Sequence, residues 1–342
     1  MKILVIGQGI AGSVLSFVLE RAGADVYLAE GDLPGSASRV AAGIINPVTG
    51  KRFVKSWHFD EFYPVARRIY TEIQQTLGLQ VWEPQSILRL LQTPEEQNNW
   101  SARCTQPDYE SYLSEVESAG AWTTLLKKGF SYGLISNAAR VRFPELMEAY
   151  HHYLLNKERL ISQQIKYVDI PQWLTKFDRI VFCEGFRASE NPYFPDLPWQ
   201  IAKGEALLIR FHQNSANAIA QMVKKTSLIA PVGDGLFWAG GSYQWHYDDY
   251  NPSEGEKSYI LQRLEEMLDA KFDIVDHVAG VRPTVKDRRP FLGESRVLSN
   301  VFIFNGLGTK GALLAPYWAE HLAANIFESQ PIDPEVEVHR NR

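Results

Sequence analysis

Residues 1–12 read MKILVIGQGIAG, and this stretch decides the fold class. A strand-like run leads into the pattern GxGxxG, formed by Gly7, Gly9 and Gly12, and then into a helix-like run. In such a pattern the first glycine makes the tight turn, the second lets the backbone approach a pyrophosphate, and the third lets the helix pack on the strand. The stretch therefore predicts the start of a dinucleotide-binding βαβ unit, with the pyrophosphate at the helix N-terminus.

An acidic residue follows the second predicted strand of this unit. The run DVYLA, residues 25–29, is strand-like and ends at Glu30. A carboxylate at this position accepts hydrogen bonds from ribose hydroxyls and argues against a 2'-phosphate. The small-residue stretch that follows, residues 31–53, is unlike the third strand and helix of a plain nicotinamide domain, which is a first indication of a flavin.

Composition excludes several other classes of protein. The chain has 342 residues, 45% of them hydrophobic, which leaves room for two globular domains. Its net charge of -5 gives no general attraction to nucleic acid or to an acidic membrane surface. Cys104 and Cys183 lack the spacing of a disulfide framework or a zinc site, and no metal is expected. With neither a signal sequence nor a long apolar run, we expect a soluble cytoplasmic protein without a membrane partner.

Periodicity and turn signals divide the rest of the chain. Residues 199–248 are rich in strand-like runs that could form a roof over a bound cofactor. The last dozen residues are polar, and we expect them to form a tail. The predicted helices and strands beyond the first unit are helices over 59–78, 144–160, 253–268 and 312–327, and strands over 163–170, 177–183 and 300–305.

Motifs spread along the whole chain resemble those of the D-amino-acid oxidase and glycine oxidase superfamily of FAD-dependent amine oxidases. They include GQGIAG, ASRVAAGIINP (37–47), KGE (203–205), GVRPTVKDRRPFLG (280–293) and FNGLGTKGALLAP (304–316). Within the superfamily, the motifs are most similar to the FAD domain of the bifunctional enzyme that completes 5-methylaminomethyl-2-thiouridine in tRNA.

The resemblance implies an α/β fold, α+β overall, with a Rossmann-like FAD-binding domain and an antiparallel-sheet substrate domain. We expect a discontinuous FAD-binding domain at residues 1–84, 141–198 and 276–342. The substrate or roof domain is expected at 85–140 and 199–275.

The motifs and the resemblance together imply non-covalent FAD. A glycine turn before the last helix suits the flavin, because a helix N-terminus stabilises the negative charge that builds up at N1 and C2=O on reduction. The expected cofactor-binding residues are Gly7, Gly9, Ile10, Ala11, Gly12, Glu30, Ser38, Ala42, Gly43, Ile44, Val168, Gly185, Gly306, Gly308, Thr309, Lys310 and Gly311.

Three residues are catalytic candidates. Arg282 aligns with the arginine that anchors the substrate carboxylate in the glycine oxidase branch, and a guanidinium pairs with a carboxylate through two hydrogen bonds. The alternative is that Arg282 forms an internal ion pair with Asp287 or a neighbour. Lys310 could add positive charge at the flavin turn, and Tyr243, with Trp245 nearby, could wall the substrate pocket.

The resemblance implies oxidation of a C–N bond in an amino acid or secondary amine that bears a carboxylate, with O2 as acceptor. Two alternatives stay open: action on a modified tRNA base, and FAD binding without robust turnover. A tRNA substrate would require a basic path to the pocket, for which Lys51, Arg52 and Lys55 are candidates. A nicotinamide-dependent dehydrogenase would share only the N-terminal motif.

Overall fold

The computed structural model describes residues 1–340, whose helices and strands are numbered here in chain order. The α-helices are α1 (Ile10–Arg21), α2 (Phe59–Leu77), α3 (Pro94–Cys104), α4 (Phe143–Asn156), α5 (Ile170–Trp173), α6 (Glu254–Glu265) and α7 (Gly311–Glu328). The strands are β1 (Lys2–Ile6), β2 (Asp25–Ala29), β3 (Ile44–Ile45), β4 (Val48–Thr49), β5 (Val54–Lys55), β6 (Trp82–Pro84), β7 (Ile87–Leu91), β8 (Leu113–Val116), β9 (Ser131–Ile135), β10 (Ala139–Val141), β11 (Leu160–Ile161), β12 (Arg179–Phe182), β13 (Ala202–Phe211), β14 (Met222–Lys224), β15 (Leu228–Gly233), β16 (Leu236–Gly240), β17 (Phe272–Arg282), β18 (Phe291–Glu294) and β19 (Val301–Asn305).

One sheet has six strands in the order β11-β2-β1-β12-β19-β18, all parallel except β18. The central strands are apolar because both of their faces are buried. In β1, Ile3 and Val5 face the core formed with α1, α2, α4 and α7, whereas Leu4 and Ile6 face the core on the other side. The carboxyl ends of β1, β12 and β19 therefore meet at one edge, where ligands bind in open α/β sheets.

The other large sheet has eight strands in the order β17-β13-β16-β15-β14-β7-β9-β8, antiparallel except where β14 pairs with β7. Its outer face packs against α6 through residues such as Leu207, Ile209 and Leu264. Its inner face packs on Val48 and Phe53, which belong to the segment that follows the first βαβ unit. This sheet therefore lies as a roof beside the dinucleotide-type sheet, and β17 continues through the domain boundary expected at 275/276.

Two predictions of local structure were wrong. No strand forms over 163–170, because the chain turns there into a 3-10 helix and α5, with Pro171 in the first helical turn; the preceding strand, β11, ends at Ile161. The expected C-terminal tail is docked. Val336 and Val338 are buried, and their backbones exchange hydrogen bonds of 2.9 and 2.8 Å with Leu292 on β18. Residues 341–342 of that prediction lie outside the described part of the chain.

Candidate cofactor and substrate site

A cavity of about 620 Å³ lies at the carboxyl edge of the six-stranded sheet and extends under the roof. The turn after β1, the segment 36–44, the end of β12 and the start of α7 form its walls, and β13 and β17 close it from the roof side. The volume is within the range of cofactor and small-molecule sites. The N-termini of α1 and α7 both border this cavity, so two positive helix ends face the same space.

Two glycines of the β1–α1 turn, Gly7 and Gly12, have no room for a side chain. Gly7 has φ +104°, and a Cβ on it would lie 2.6 Å from the Cys183 carbonyl oxygen. A Cβ on Gly12 would lie 1.9 Å from the Gly7 carbonyl oxygen. Gly9 borders the cavity, and a Cβ there would point 3.3 Å from Ser38 Oγ, which accepts a hydrogen bond from the Ile10 amide at 3.1 Å. The turn thus presents bare backbone to the cavity at the start of α1, as a pyrophosphate site requires.

Glu30 is held rigidly beside this turn. Its carboxylate accepts hydrogen bonds of 2.7 Å from the amides of Gln8 and Asp32. Each carboxylate oxygen keeps capacity for a further hydrogen bond, and the side chain borders the cavity. The geometry therefore suits a carboxylate that receives hydroxyl protons from a ribose.

The turn before α7 uses its backbone, and not the Lys310 side chain, to face the cavity. Gly308, Thr309 and Gly311 border the cavity, whereas the Lys310 ammonium donates to Ser56 Oγ at 3.2 Å. Burial, with a smaller contribution from the charges of Arg288 and Arg289, lowers the pKa of Lys310.

Most residues expected to bind the cofactor come together at this one cavity. Val168 reaches only its outer rim, with an exposed side chain, while buried Ile165 lies deeper in the same wall. Gly12, Gly306 and Lys310 support the turns from behind and do not border the cavity. The expected residues that border it are Gly7, Gly9, Ile10, Ala11, Glu30, Ser38, Ala42, Gly43, Ile44, Val168, Gly185, Gly308, Thr309 and Gly311.

Arg282 occupies a slot in the roof that also borders the cavity. A Cβ on Gly204 would lie 1.9 Å from its Nη2 atom, and one on Gly241 would lie 3.1 Å from it, so the guanidinium lies flat against bare backbone. Its Nη1 donates to the Ser242 carbonyl at 3.0 Å. Burial lowers the pKa of Arg282, opposed in part by Tyr243. Across residues 1–340, no carboxylate oxygen lies within 4 Å of this guanidinium.

The alternative ion pair with Asp287 is not formed. Arg340, in the docked C-terminal segment, holds Asp287 instead, with a distance of 3.1 Å between Nε and Oδ2. Most of the N–H donors of Arg282 therefore remain available toward the cavity.

Tyr243 lies beside Arg282 on the segment that follows β16. The Arg282 guanidinium carbon is 5.2 Å from the centre of its ring, and its hydroxyl lies 3.4 Å from Thr284 Oγ1. The ring meets Trp245 edge-on at 4.8 Å, and both aromatic side chains are about half exposed. The pair forms an outer wall near the guanidinium and does not border the main cavity.

A buried charge cluster positions this aromatic segment, and sequence reasoning missed it. The Glu205 carboxylate is fully buried and lies 3.0 Å from Lys203 Nζ and 2.9 Å from His277 Nε2. Ser253 donates to the same carboxylate through its amide and its hydroxyl, and Lys203 Nζ donates to the Asn251 carbonyl. The KGE motif was the available signal, because buried charges at alternating strand positions require partners.

A second carboxylate that sequence reasoning missed lies at the end of β12. Glu184 borders the cavity, and its Oε2 accepts a hydrogen bond of 2.9 Å from Asn191 Nδ2. Burial raises the pKa of Glu184 to about 7, although Asn191, Tyr167 and Arg187 oppose the shift. The cavity therefore contains a carboxyl group that is partly protonated at neutral pH.

Comparison with known proteins identifies the family. Residues 2–325 match the family described as FAD dependent oxidoreductase, DAO. The chain belongs to the DAO family of FAD-dependent oxidoreductases. It is 26% identical to a glycine oxidase of Pseudomonas aeruginosa, over 97% of both chains. It is also 24% identical to the tRNA 5-methylaminomethyl-2-thiouridine biosynthesis bifunctional protein of Marinobacter nauticus, over 95% of this chain and 55% of that protein.

Solved structures agree with the DAO-family fold. Glycine oxidase from Geobacillus kaustophilus superposes with a TM-score of 0.79 at 18% identity, covering 99% of this chain and 98% of that one. Iminodiacetate oxidase from Chelativorans sp. BNC1 gives a TM-score of 0.74 at 18% identity, with coverage of 97% and 96%. Among residues 1–340, no helix combines the length and apolar character needed to cross a bilayer.

The cofactor of the DAO family is FAD, and the cavity fits it. A side chain on Gly9 would extend toward Ser38 Oγ at the edge of the cavity, and two helix N-termini face the cavity. Gly9 and Ile10 would hold the pyrophosphate, Glu30 the ribose, and the backbone of Gly308 and Thr309 the flavin ring. When bound, FAD supplies the two-electron acceptor that these side chains lack.

Proposed function

We propose that this FAD-dependent oxidoreductase oxidises the C–N bond of an amino acid or secondary amine that bears a carboxylate, with O2 as the electron acceptor. The observation that carries the proposal is Arg282. Its guanidinium borders the cofactor cavity in a slot kept open by Gly204 and Gly241, and it has no carboxylate partner within residues 1–340. A half-buried guanidinium with free donors is a site for a carboxylate ligand.

The side chains around Arg282 would bind and orient the substrate and would not transfer protons. The guanidinium receives the carboxylate through two hydrogen bonds and so directs the carbon beside the amine into the cavity. The Tyr243 and Trp245 rings shield this contact from one side. His246 is exposed and is therefore not assigned as a base. The substrate amine loses its proton to solvent, and the two electrons leave with the hydrogen of the adjacent carbon.

The names of the related proteins support this choice of substrate class. One relative is a glycine oxidase, and one structural neighbour is an iminodiacetate oxidase. Both names denote amines that carry a carboxylate on the carbon next to nitrogen.

A modified tRNA base has less support as the substrate. Of the three basic candidates, Lys55 is neutralised by Asp60, whose Oδ2 lies 2.6 Å from the ammonium. Lys51 and Arg52 are exposed, but they do not border the cavity.

The test is anaerobic mixing of the FAD-loaded protein with a panel of amines. Glycine, sarcosine and other N-substituted glycines should bleach the flavin absorbance, and admission of O2 should restore it with release of H2O2. Ethylamine and methylamine, which lack the carboxylate, should bleach it far more slowly. Stable yellow protein that no amine bleaches would refute the proposed function and favour FAD binding without turnover.

A further inference from the structure

Two basic side chains lie together on the inner face of the roof, outside the site described above. Arg89 on β7 and Lys224 on β14 are register partners in neighbouring strands. Their sequence neighbours Leu88 and Val223 belong to the outer core of the sheet, so by alternation Arg89 and Lys224 point to the inner face. The Arg89 guanidinium carbon lies 5.4 Å from the ring of Phe53, a residue that packs on the inner face of the roof.

These two cations are poorly compensated by the protein. The Lys224 ammonium makes no hydrogen bond or ion pair with any residue of the described chain. Burial, together with the charge of Arg89, lowers the pKa of Lys224 to about 8. Arg89 is 8% exposed and donates to the Lys225 carbonyl at 2.6 Å, while Glu96, 3.6 Å away, is the carboxylate within reach among residues 1–340.

Arg89 is buried and Lys224 is partly exposed, so one carboxylate beside these two neighbouring cations leaves an excess positive charge partly shielded from solvent. Such an arrangement costs free energy through desolvation and mutual repulsion. An anionic group placed beside Lys224 would relieve both costs, because it would supply the missing opposite charge. The pair therefore has the character of an anion-binding site.

The register of the roof places this pair in line with the Arg282 slot. Ala206, Gly240, Leu228, Lys224 and Arg89 follow one another across five neighbouring strands. Ala206 borders the cofactor cavity, and the residue after Gly240 touches the Arg282 guanidinium. All these positions are on the inner face of the sheet.

The spacing limits the size of a ligand that could contact both cationic points. Two to three strand spacings separate Lys224 from the Arg282 slot, roughly 10–14 Å at about 4.8 Å per strand. Each charged contact takes up about 3 Å. Two anionic groups bound at the two points would therefore be roughly 4–8 Å apart.

We propose that Lys224 and Arg89 form a second carboxylate subsite, so that the substrate is an amine carrying two carboxylates, one at Arg282 and the other at Lys224. This inference rests on the proposed function for the role of Arg282 and extends it to the substrate class. A dicarboxylic secondary amine of the length of N-carboxymethyl-γ-aminobutyrate matches the spacing.

The test uses ligands that cannot be oxidised, so that binding is measured apart from turnover. Adipate and its monoamide have nearly the same length, and only adipate carries the second charge. Their dissociation constants are measured with the FAD-loaded protein from the perturbation of the flavin absorbance spectrum. Adipate should bind roughly tenfold or more tightly than the monoamide, as a charge-assisted hydrogen bond implies.

Lys224→Met should abolish that preference, so that adipate and its monoamide bind the variant with similar dissociation constants. Lys225→Met is the matched control, because the Lys225 ammonium lies 3.7 Å from Glu266 and near the Phe130 ring, away from Lys224. It should retain the preference for adipate. Equal binding of the two ligands to the unmodified protein, or a preference that survives Lys224→Met, would overturn the subsite.

Failure of the proposed function gives a different result. If sarcosine bleaches the flavin but adipate shows no advantage over its monoamide, the amine oxidase activity stands and the second subsite is wrong. If adipate is preferred through Lys224 but no amine bleaches the flavin, the subsite stands and the reaction is wrong.

Discussion

Replacement of Arg282 by methionine is the most direct perturbation of the substrate site. Methionine keeps much of the side-chain length and removes the guanidinium. The wild-type guanidinium donates one N–H to the Ser242 carbonyl, which leaves a pair of N–H donors for a substrate carboxylate. In the variant the carboxylate would be desolvated without a partner, at a cost of about 2–5 kcal/mol. The value of kcat/KM for amines that bear a carboxylate should therefore fall roughly 30-fold to several thousandfold.

A second variant tests the position of the Arg282 guanidinium separately from its charge. In Gly204→Ala the new Cβ would lie 1.9 Å from Arg282 Nη2, so the guanidinium must move although its charge remains. A displacement of about 1 Å from the productive position costs on the order of a hundredfold in rate. We expect Gly204→Ala to reproduce a large part of the Arg282→Met defect.

The assay is steady-state oxidation of sarcosine and of ethylamine, with FAD content and Tm measured on the same samples. Arg288→Met is the control, because Arg288 is an exposed arginine in the same connection between β17 and β18. Only the amine with a carboxylate should lose activity, and the FAD content should match that of the wild type. Parallel loss for both amines, or loss of the fold, would refute the assignment of Arg282 to substrate.

Three further predictions concern the cofactor cavity. Gly9→Val should give colourless protein, because the new side chain would enter the cavity beside Ser38 Oγ; stoichiometric FAD after gel filtration would contradict this assignment. Glu30→Gln should raise the Kd for FAD roughly tenfold, since each ribose hydrogen bond to a charged acceptor contributes about 1.5–3 kcal/mol; flavin fluorescence titration measures the change, and an unchanged Kd would place the ribose elsewhere. Glu184 has a folded-state pKa of about 7, above its reference value of 4.5, so the wild type loses stability as pH rises between these values. The Glu184→Gln side chain does not titrate, so the free energy of unfolding of this variant in urea, relative to that of the wild type, should rise by on the order of 2–3 kcal/mol between pH 4 and 8. A difference in free energy of unfolding that is the same at every pH would show that Glu184 ionises normally.

Sequence reasoning succeeded where the signal is local. β1, β2 and the ends of α2 and α7 lie at or within a few residues of their predicted positions. It failed over 163–170, because Ile165 and Ile170 pack in the core from a loop and a short helix and not from a strand, and the strand that pairs with β2, β11, ends at Ile161. A polar composition also suggested a free tail, although two buried valines and the Arg340 ion pair dock it beside β18.

The candidate site also contains some residues that the sequence could assign and others that it could not. The glycines of the β1–α1 turn and Glu30 could be assigned in advance, since a tight turn beside a helix N-terminus imposes its own steric rules within a short stretch of chain. The direction of the Lys310 side chain could not be assigned in advance, because it depends on a hydrogen bond to Ser56, which is distant in the sequence. The register of β13 with β17 and β16 decides that Arg282 lies against Gly204 and Gly241.

By itself, the sequence determined a dinucleotide-type βαβ unit and the family motifs that point to FAD, because short-range sterics and hydrophobic periodicity are properties of neighbouring residues. Only the tertiary structure decided which charges meet. Asp287 pairs with Arg340, so Arg282 faces the cavity. Lys224 lies beside Arg89, and its ammonium has no partner among the described residues. The reason is physical: burial and strand register set the energy of a charge, and both depend on segments far apart in the chain.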